Sequence, residues 1–102
     1  MGCNRTNLIS SDDVGNQAQL IDVRTPEEFS EGYIANATNL NIYDANTFMS
    51  KIQSYDKENN YYIYCKSGAR SSQACKIMSQ LGFANVYNLL GGITNWKGKI
   101  SK

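Results

Sequence analysis

The run Tyr64-Cys65-Lys66-Ser67-Gly68-Ala69-Arg70-Ser71-Ser72 holds the residues best suited to chemistry. The continuous β-rich stretch Tyr61 to Tyr64 delivers Cys65 to the end of a strand, and a helix opens near Arg70. Between them lies a loop of small residues in which Gly68 permits a tight curl. Successive N–H groups of such a loop can turn inward as an anion nest. The helix start adds its unpaired N–H groups and the positive end of its dipole. Lys66 and Arg70 bracket the loop with positive charge. A free thiol, with a pKa of about 8.5, is only ~3% thiolate near neutral pH. Charge-assisted N–H contacts at this loop therefore predict an acidic Cys65 that acts as a nucleophile without a general base. Most lone cysteines at strand ends are merely small buried residues. Here strand, glycine loop, flanking cations and helix start follow one another in the order a reactive thiol needs.

The rest of the composition narrows the chemistry. The chain of 102 residues contains no histidine, which removes Ser-His and Cys-His catalysis, histidine metal sites and histidine pH switches. No metal and no cofactor is called for. Net charge is +1, so no broad basic face for nucleic acid is expected. Three cysteines, Cys3, Cys65 and Cys75, make neither a disulfide framework nor a zinc site by count and spacing. They read as free thiols, suited to a reducing, cytoplasmic setting. Cys75 lies ten residues beyond Cys65, about 15 Å along a helix at 1.5 Å per residue, and reads as a packing residue. Met1-Gly2-Cys3-Asn4-Arg5-Thr6 fits the loose myristoylation pattern. Equally, Met1-Gly2 could precede a lipidated Cys3, so a lipid-anchored chain is the alternative location. A membrane enters the reading only through such lipidation of Gly2 or Cys3.

The elements that must position the loop follow from patterning. At this length, with 41% apolar and 19% charged residues, one domain over 1–102 is expected. Leu8-Ile9 suggests a brief first strand, and Ser10 or Ser11 a short helix cap before Gly15. Ala18 to Val23 is a continuous apolar strand. Thr25-Pro26-Glu27-Glu28 is a helix start with Thr25 as N-cap and Glu28 as its capping-box acceptor, ended by Gly32. Ala37 to Ile42 alternates as a strand. Ala45, Phe48, Met49 and Ile52, and later Ala74, Ile77, Met78 and Leu81, fall at i, i+3, i+4 and i+7, one face of a helix each. Asn85 to Leu90 reads as the last strand, followed by a Gly91-Gly92 turn and a short helix from Ile93 to Lys97. Strands alternating with helices predict an α/β domain with a mostly parallel sheet covered on both faces.

Three segments in this order resemble the rhodanese-like (thiosulfate sulfurtransferase) family, over nearly the whole chain from about Asn7 to Gly98. They are Ile21-Asp22-Val23-Arg24-Thr25-Pro26-Glu27-Glu28-Phe29 with Gly32-Tyr33-Ile34, then Cys65 to Arg70, then Leu90-Gly91-Gly92-Ile93-Thr94-Asn95-Trp96. The resemblance implies a five-stranded parallel sheet flanked by helices. It implies that Cys65 accepts sulfur as a persulfide cradled by the loop N–H groups of Lys66, Ser67, Gly68, Ala69 and Arg70. Asp22 and Arg24 would be structural support, and Trp96 core. Tyr33 stands where the family usually has His, and Asn36 where it usually has Gly. Local packing and a turn are expected to differ there.

The implied reaction moves a sulfane sulfur from thiosulfate or a related small anionic donor to cyanide or a thiol. Lys66 and Arg70 would attract and orient that donor. A persulfide carrier serving a protein acceptor is the first alternative. A phosphatase or arsenate reductase is the second, but those folds place five residues between Cys and Arg, and here there are four.

Overall fold

The computed structural model describes residues 4–6 and 18–102. The expected Leu8-Ile9 strand, the Ser10–Gly15 helix and Cys3 lie outside the described residues. In chain order the elements are β1 (Asn4–Thr6), β2 (Ala18–Asp22), α1 (Pro26–Ser30), β3 (Tyr33–Ile34), β4 (Thr38–Asn39), α2 (Ala45–Ile52), β5 (Asn60–Tyr64), α3 (Ala69–Gln80), β6 (Asn85–Leu89), α4 (Gly92–Asn95) and β7 (Ile100–Ser101). The main sheet has five strands in the order β1-β6-β5-β2-β4. All four of its pairings are parallel. This is the α/β architecture the alternation predicts.

Strand β5 is central, and its side chains divide by the period of two. Tyr61 and Ile63 join Ile21, Val23 and Val86 under α2 and α3, where Phe48, Ile52, Ala74 and Met78 are buried. Tyr64 points the other way, with Leu20 and Leu89, against Ile34 and Trp96. Two apolar layers on opposite faces explain why the central strands read as unbroken apolar runs. Trp96 is buried core, as expected, and its Nε1 donates to the Lys99 carbonyl at 3.2 Å.

Three details differ from the sequence reading. The strand expected over 37–42 is regular only at Thr38–Asn39. Leu40 and Ile42 still donate to the Asp22 and Val23 carbonyls, but the Asn39 side chain also bonds the Asp22 and Arg24 carbonyls and so competes with a regular ladder. Asn85–Leu89 is not the last strand, because β7 pairs antiparallel with β3. Two-residue strands carry no periodic signal. The free-thiol reading holds for Cys65 but not for Cys75, which is buried as expected yet disulfide-bonded.

Candidate active site

Cys65 follows β5 directly, at the carboxyl edge of the sheet, where open α/β folds bind ligands. Its side chain is buried. The loop then turns at Gly68, whose φ of 121° is a conformation L side chains rarely adopt. Among the described residues no atom lies within 4 Å of a Cβ built there, so backbone conformation and not space calls for glycine. Gly68 is also the N-cap of α3, and it has no side chain to satisfy the first N–H groups of the helix. The Cys65 sulfur stands in for that missing cap.

The Gly68 N–H donates to Cys65 Sγ at 3.0 Å. The Ser71 hydroxyl lies 3.5 Å from the same sulfur. Burial pushes the thiol up, but hydrogen bonds from the Ser71 hydroxyl and from the backbone N–H groups of Ser71, Gly68 and Ser67 outweigh it, and the net shift is downward. The arrangement can stabilise negative charge on sulfur. It does so with neutral donors, consistent with a chain that has no histidine base.

The two cations part company. Lys66 is exposed and makes no ion pair among the described residues. Arg70 is held by Glu28 of α1, with Nη1 to Oε1 at 2.6 Å and Nη2 to Oε2 at 3.0 Å. Its guanidinium also lies 5.6 Å from the Tyr43 ring centroid. Ser67 and Ala69 are exposed on the loop. A cavity of about 540 Å³ beside them is lined, among the described residues, by Ser67, Gly68, Ala69, Ser72 and residues 88–91, none of them charged.

Asp22 and Arg24 pair with each other. The Asp22 carboxylate accepts Arg24 Nε at 3.0 Å, Nη2 at 2.6 Å and the Arg24 backbone N–H at 2.9 Å. Arg24 Nη2 also donates to the Gly32 carbonyl at 2.8 Å. The pair ties the end of β2 to the turn after α1. Tyr33 and Asn36 keep their places by other means. Tyr33 stacks on Phe29 at 3.9 Å, and Asn36 holds φ at 73°, a region asparagine tolerates better than most residues.

Some of the site was missed in the sequence. Asn88 on β6 bonds both Ser71 and the Gly68 carbonyl. The start of α4 buttresses the loop from the far side. Ile93 N–H donates to the Cys65 carbonyl at 3.0 Å, and Thr94 donates to the Lys66 carbonyl through N–H at 3.3 Å and Oγ1 at 2.9 Å. Gly92 makes this approach possible, since a Cβ would lie 2.4 Å from the Cys65 carbonyl oxygen and 2.5 Å from that of Lys66. The Gly91-Gly92 pair is the one sign of this in the sequence, and by itself a glycine pair signals only a turn.

Known proteins share this fold. A family profile described as "Rhodanese-like domain" matches residues 7–99. The chain is 44% identical over 77 residues to a protein named "Sulfurtransferase" from Allochromatium vinosum, covering 76% of this chain and 69% of that one. It is 35% identical over 82 residues to the protein named "Thiosulfate sulfurtransferase GlpE" from Coxiella burnetii, covering 76% and 70%. The crystal structure of a rhodanese-related protein from Thermoplasma volcanium superposes with a TM-score of 0.76 at 28% identity, covering 94% of this chain and 98% of that one. With the profile spanning most of its length, the chain belongs to the rhodanese-like domain family.

Proposed function

We propose that the protein is a thiosulfate sulfurtransferase working through a persulfide on Cys65. The observation that carries this reading is the Cys65 sulfur, held 3.0 Å from the Gly68 N–H with further donors around it. The thiolate attacks the outer sulfur of thiosulfate. A new S–S bond forms, the S–S bond to the sulfonate group breaks, and its electron pair leaves with sulfite. The product is a Cys65 persulfide whose terminal sulfur carries the negative charge. Cyanide or a thiolate then attacks that terminal sulfur, leaves as thiocyanate or a new persulfide, and restores the Cys65 thiolate. This two-step covalent route gives ping-pong kinetics.

The loop N–H groups act on sulfur as an oxyanion hole acts on oxygen. Lys66 attracts the anionic donor. Arg70, committed to Glu28, positions the loop by tying α3 to α1. That commitment also weighs against phosphoryl transfer, which would need a guanidinium turned to the reacting group. Four residues between Cys65 and Arg70 make a ring suited to one sulfur atom.

The test is intact mass spectrometry after mixing with thiosulfate. A gain of about 32 Da, one sulfur, mapped to Cys65 is the expected result. Steady-state turnover with thiosulfate and cyanide should vanish in Cys65→Ser. Sulfur on another cysteine, or turnover surviving that substitution, would refute the assignment. Persulfide formation without turnover would mark a carrier that needs a protein acceptor.

A further inference from the structure

Asn88 is a buried amide in β6, the strand next to β5, which Cys65 directly follows. Such a group must find partners. Its Nδ2 donates to the Gly68 carbonyl at 3.3 Å, and its Oδ1 accepts the Ser71 hydroxyl at 2.6 Å. The reversed amide would set Oδ1 against the Gly68 carbonyl, two acceptors with no proton between them. The orientation is therefore fixed, with the oxygen toward Ser71.

The Ser71 hydroxyl has one proton and three acceptors around it. They are Asn88 Oδ1 at 2.6 Å, the Gly68 carbonyl at 3.1 Å and Cys65 Sγ at 3.5 Å. The Gly68 carbonyl already accepts the Ser72 N–H at 3.0 Å as well as Asn88 Nδ2. While Cys65 is a neutral thiol, the proton therefore rests on Asn88. In that state the Ser71 oxygen turns its lone pairs to the sulfur, which suits a neutral S–H and disfavours a thiolate. A thiolate is served only when the hydroxyl rotates and gives up Asn88.

We propose that Asn88 is a positioning residue that competes with Cys65 for the single hydroxyl proton of Ser71. The competition makes the resting thiol less acidic than the loop alone would. Once sulfur is loaded, the charge moves one bond outward to the terminal sulfur, and Ser71 returns its proton to Asn88. The hydroxyl thus follows the charge through the cycle. This use of the pair rests on Cys65 being the sulfur acceptor.

The experiment titrates the ultraviolet absorbance of the Cys65 thiolate, taken as the difference from Cys65→Ser. No sulfur donor is present, so failure here leaves the sulfur-transfer reading standing, and failure of that reading does not alter this titration. Asn88→Leu should raise the acidity constant about threefold, the scale of one modest hydrogen bond. In a Ser71→Ala background the same substitution should change nothing. A shift of equal size in both backgrounds, no shift, or a less acidic thiol overturns the proposal. Asn88→Val, with a side chain suited to a strand, is read the same way if leucine does not fit. Ser71→Ala with Asn88 intact gives an independent reading. A shared proton predicts a fall in acidity of less than about threefold, and a fall of about tenfold or more would mean the proton had served the sulfur alone.

Discussion

Glu28 and Arg70, 42 residues apart, meet through two hydrogen bonds at 2.6 and 3.0 Å, and the Glu28 Oε1 in that pair also accepts the Thr25 backbone N–H at 3.1 Å. One carboxylate thus completes the capping box of α1 and fastens the first turn of α3. Arg70→Ala is expected to destabilise the fold by about 0.5–1 kcal/mol, since both side chains are partly exposed and solvent screens them. Glu28→Ala should cost more, by about 1 kcal/mol, because the cap is lost as well. The double variant should cost less than the sum. Urea unfolding of the four proteins checks this, and strict additivity would show that the two residues do not share an interaction.

The same pair makes stability depend on acid. The hydrogen bond from Arg70 lowers the Glu28 carboxyl from 4.5 to about 2, against the opposing effect of burial and with help from Thr25. A folded pKa below the unfolded one stabilises the protein fully above the unfolded value, and that contribution disappears as pH falls through the folded value. The wild type should therefore lose its stability advantage over Glu28→Gln between about pH 5 and pH 2. Thermal unfolding across that range tests the point. An advantage that stays constant with pH would place the effect outside Glu28 ionisation.

Lys66 carries the other half of the electrostatics. Its exposed ammonium has no ion-pair partner among the described residues, whereas Arg70 is neutralised. A cation that meets a donor equally in ground and transition states acts on KM and not on kcat. Lys66→Ala is expected to raise the KM for thiosulfate several-fold with little change in kcat. The difference from wild type should shrink at high salt, where the screening length falls to about 3 Å at 1 M. Unchanged thiosulfate kinetics and salt dependence would remove Lys66 from the reaction.

What could be read in the sequence was what lay close together in it. Cys65, Gly68 and the helix start are contiguous, so their joint geometry follows from strand, turn and cap rules. The capping box at Thr25 and Glu28 was legible for the same reason. The second role of Glu28 was not, because nothing local says that α1 comes to lie beside α3. Asn88 looked like one more polar residue in a strand. Its value comes from the parallel order β6-β5, which sets it beside the loop from 20 residues beyond Gly68. The edge strand near Ala37 is shorter than its pattern because alternation reports which face is buried, not how far a ladder stays regular. The two-residue strands of the β3-β7 ribbon are too short to leave a pattern at all.

The remaining prediction separates backbone conformation from close approach. Gly82 and Gly92 both have positive φ, 100° and 60°. At Gly82 a Cβ would meet, among the described residues, only the Lys57 side chain, at 3.7 Å, so Gly82→Ala should lower stability by about 1–2 kcal/mol for the left-handed backbone. Its sulfurtransferase activity should stay at the wild-type level. At Gly92 the same backbone cost applies, and the Cβ would also stand 2.4–2.7 Å from three backbone atoms of Cys65 and Lys66. Those atoms cannot swing aside as a side chain can, so the loop itself must move. A displacement of ~1 Å at the reacting centre is enough to cost about 10²-fold in rate. Gly92→Ala is therefore expected to lose about two orders of magnitude in activity even at temperatures where circular dichroism shows it folded. Activity comparable to that of Gly82→Ala at matched folded fraction would show that the contact from α4 does not hold the sulfur in place.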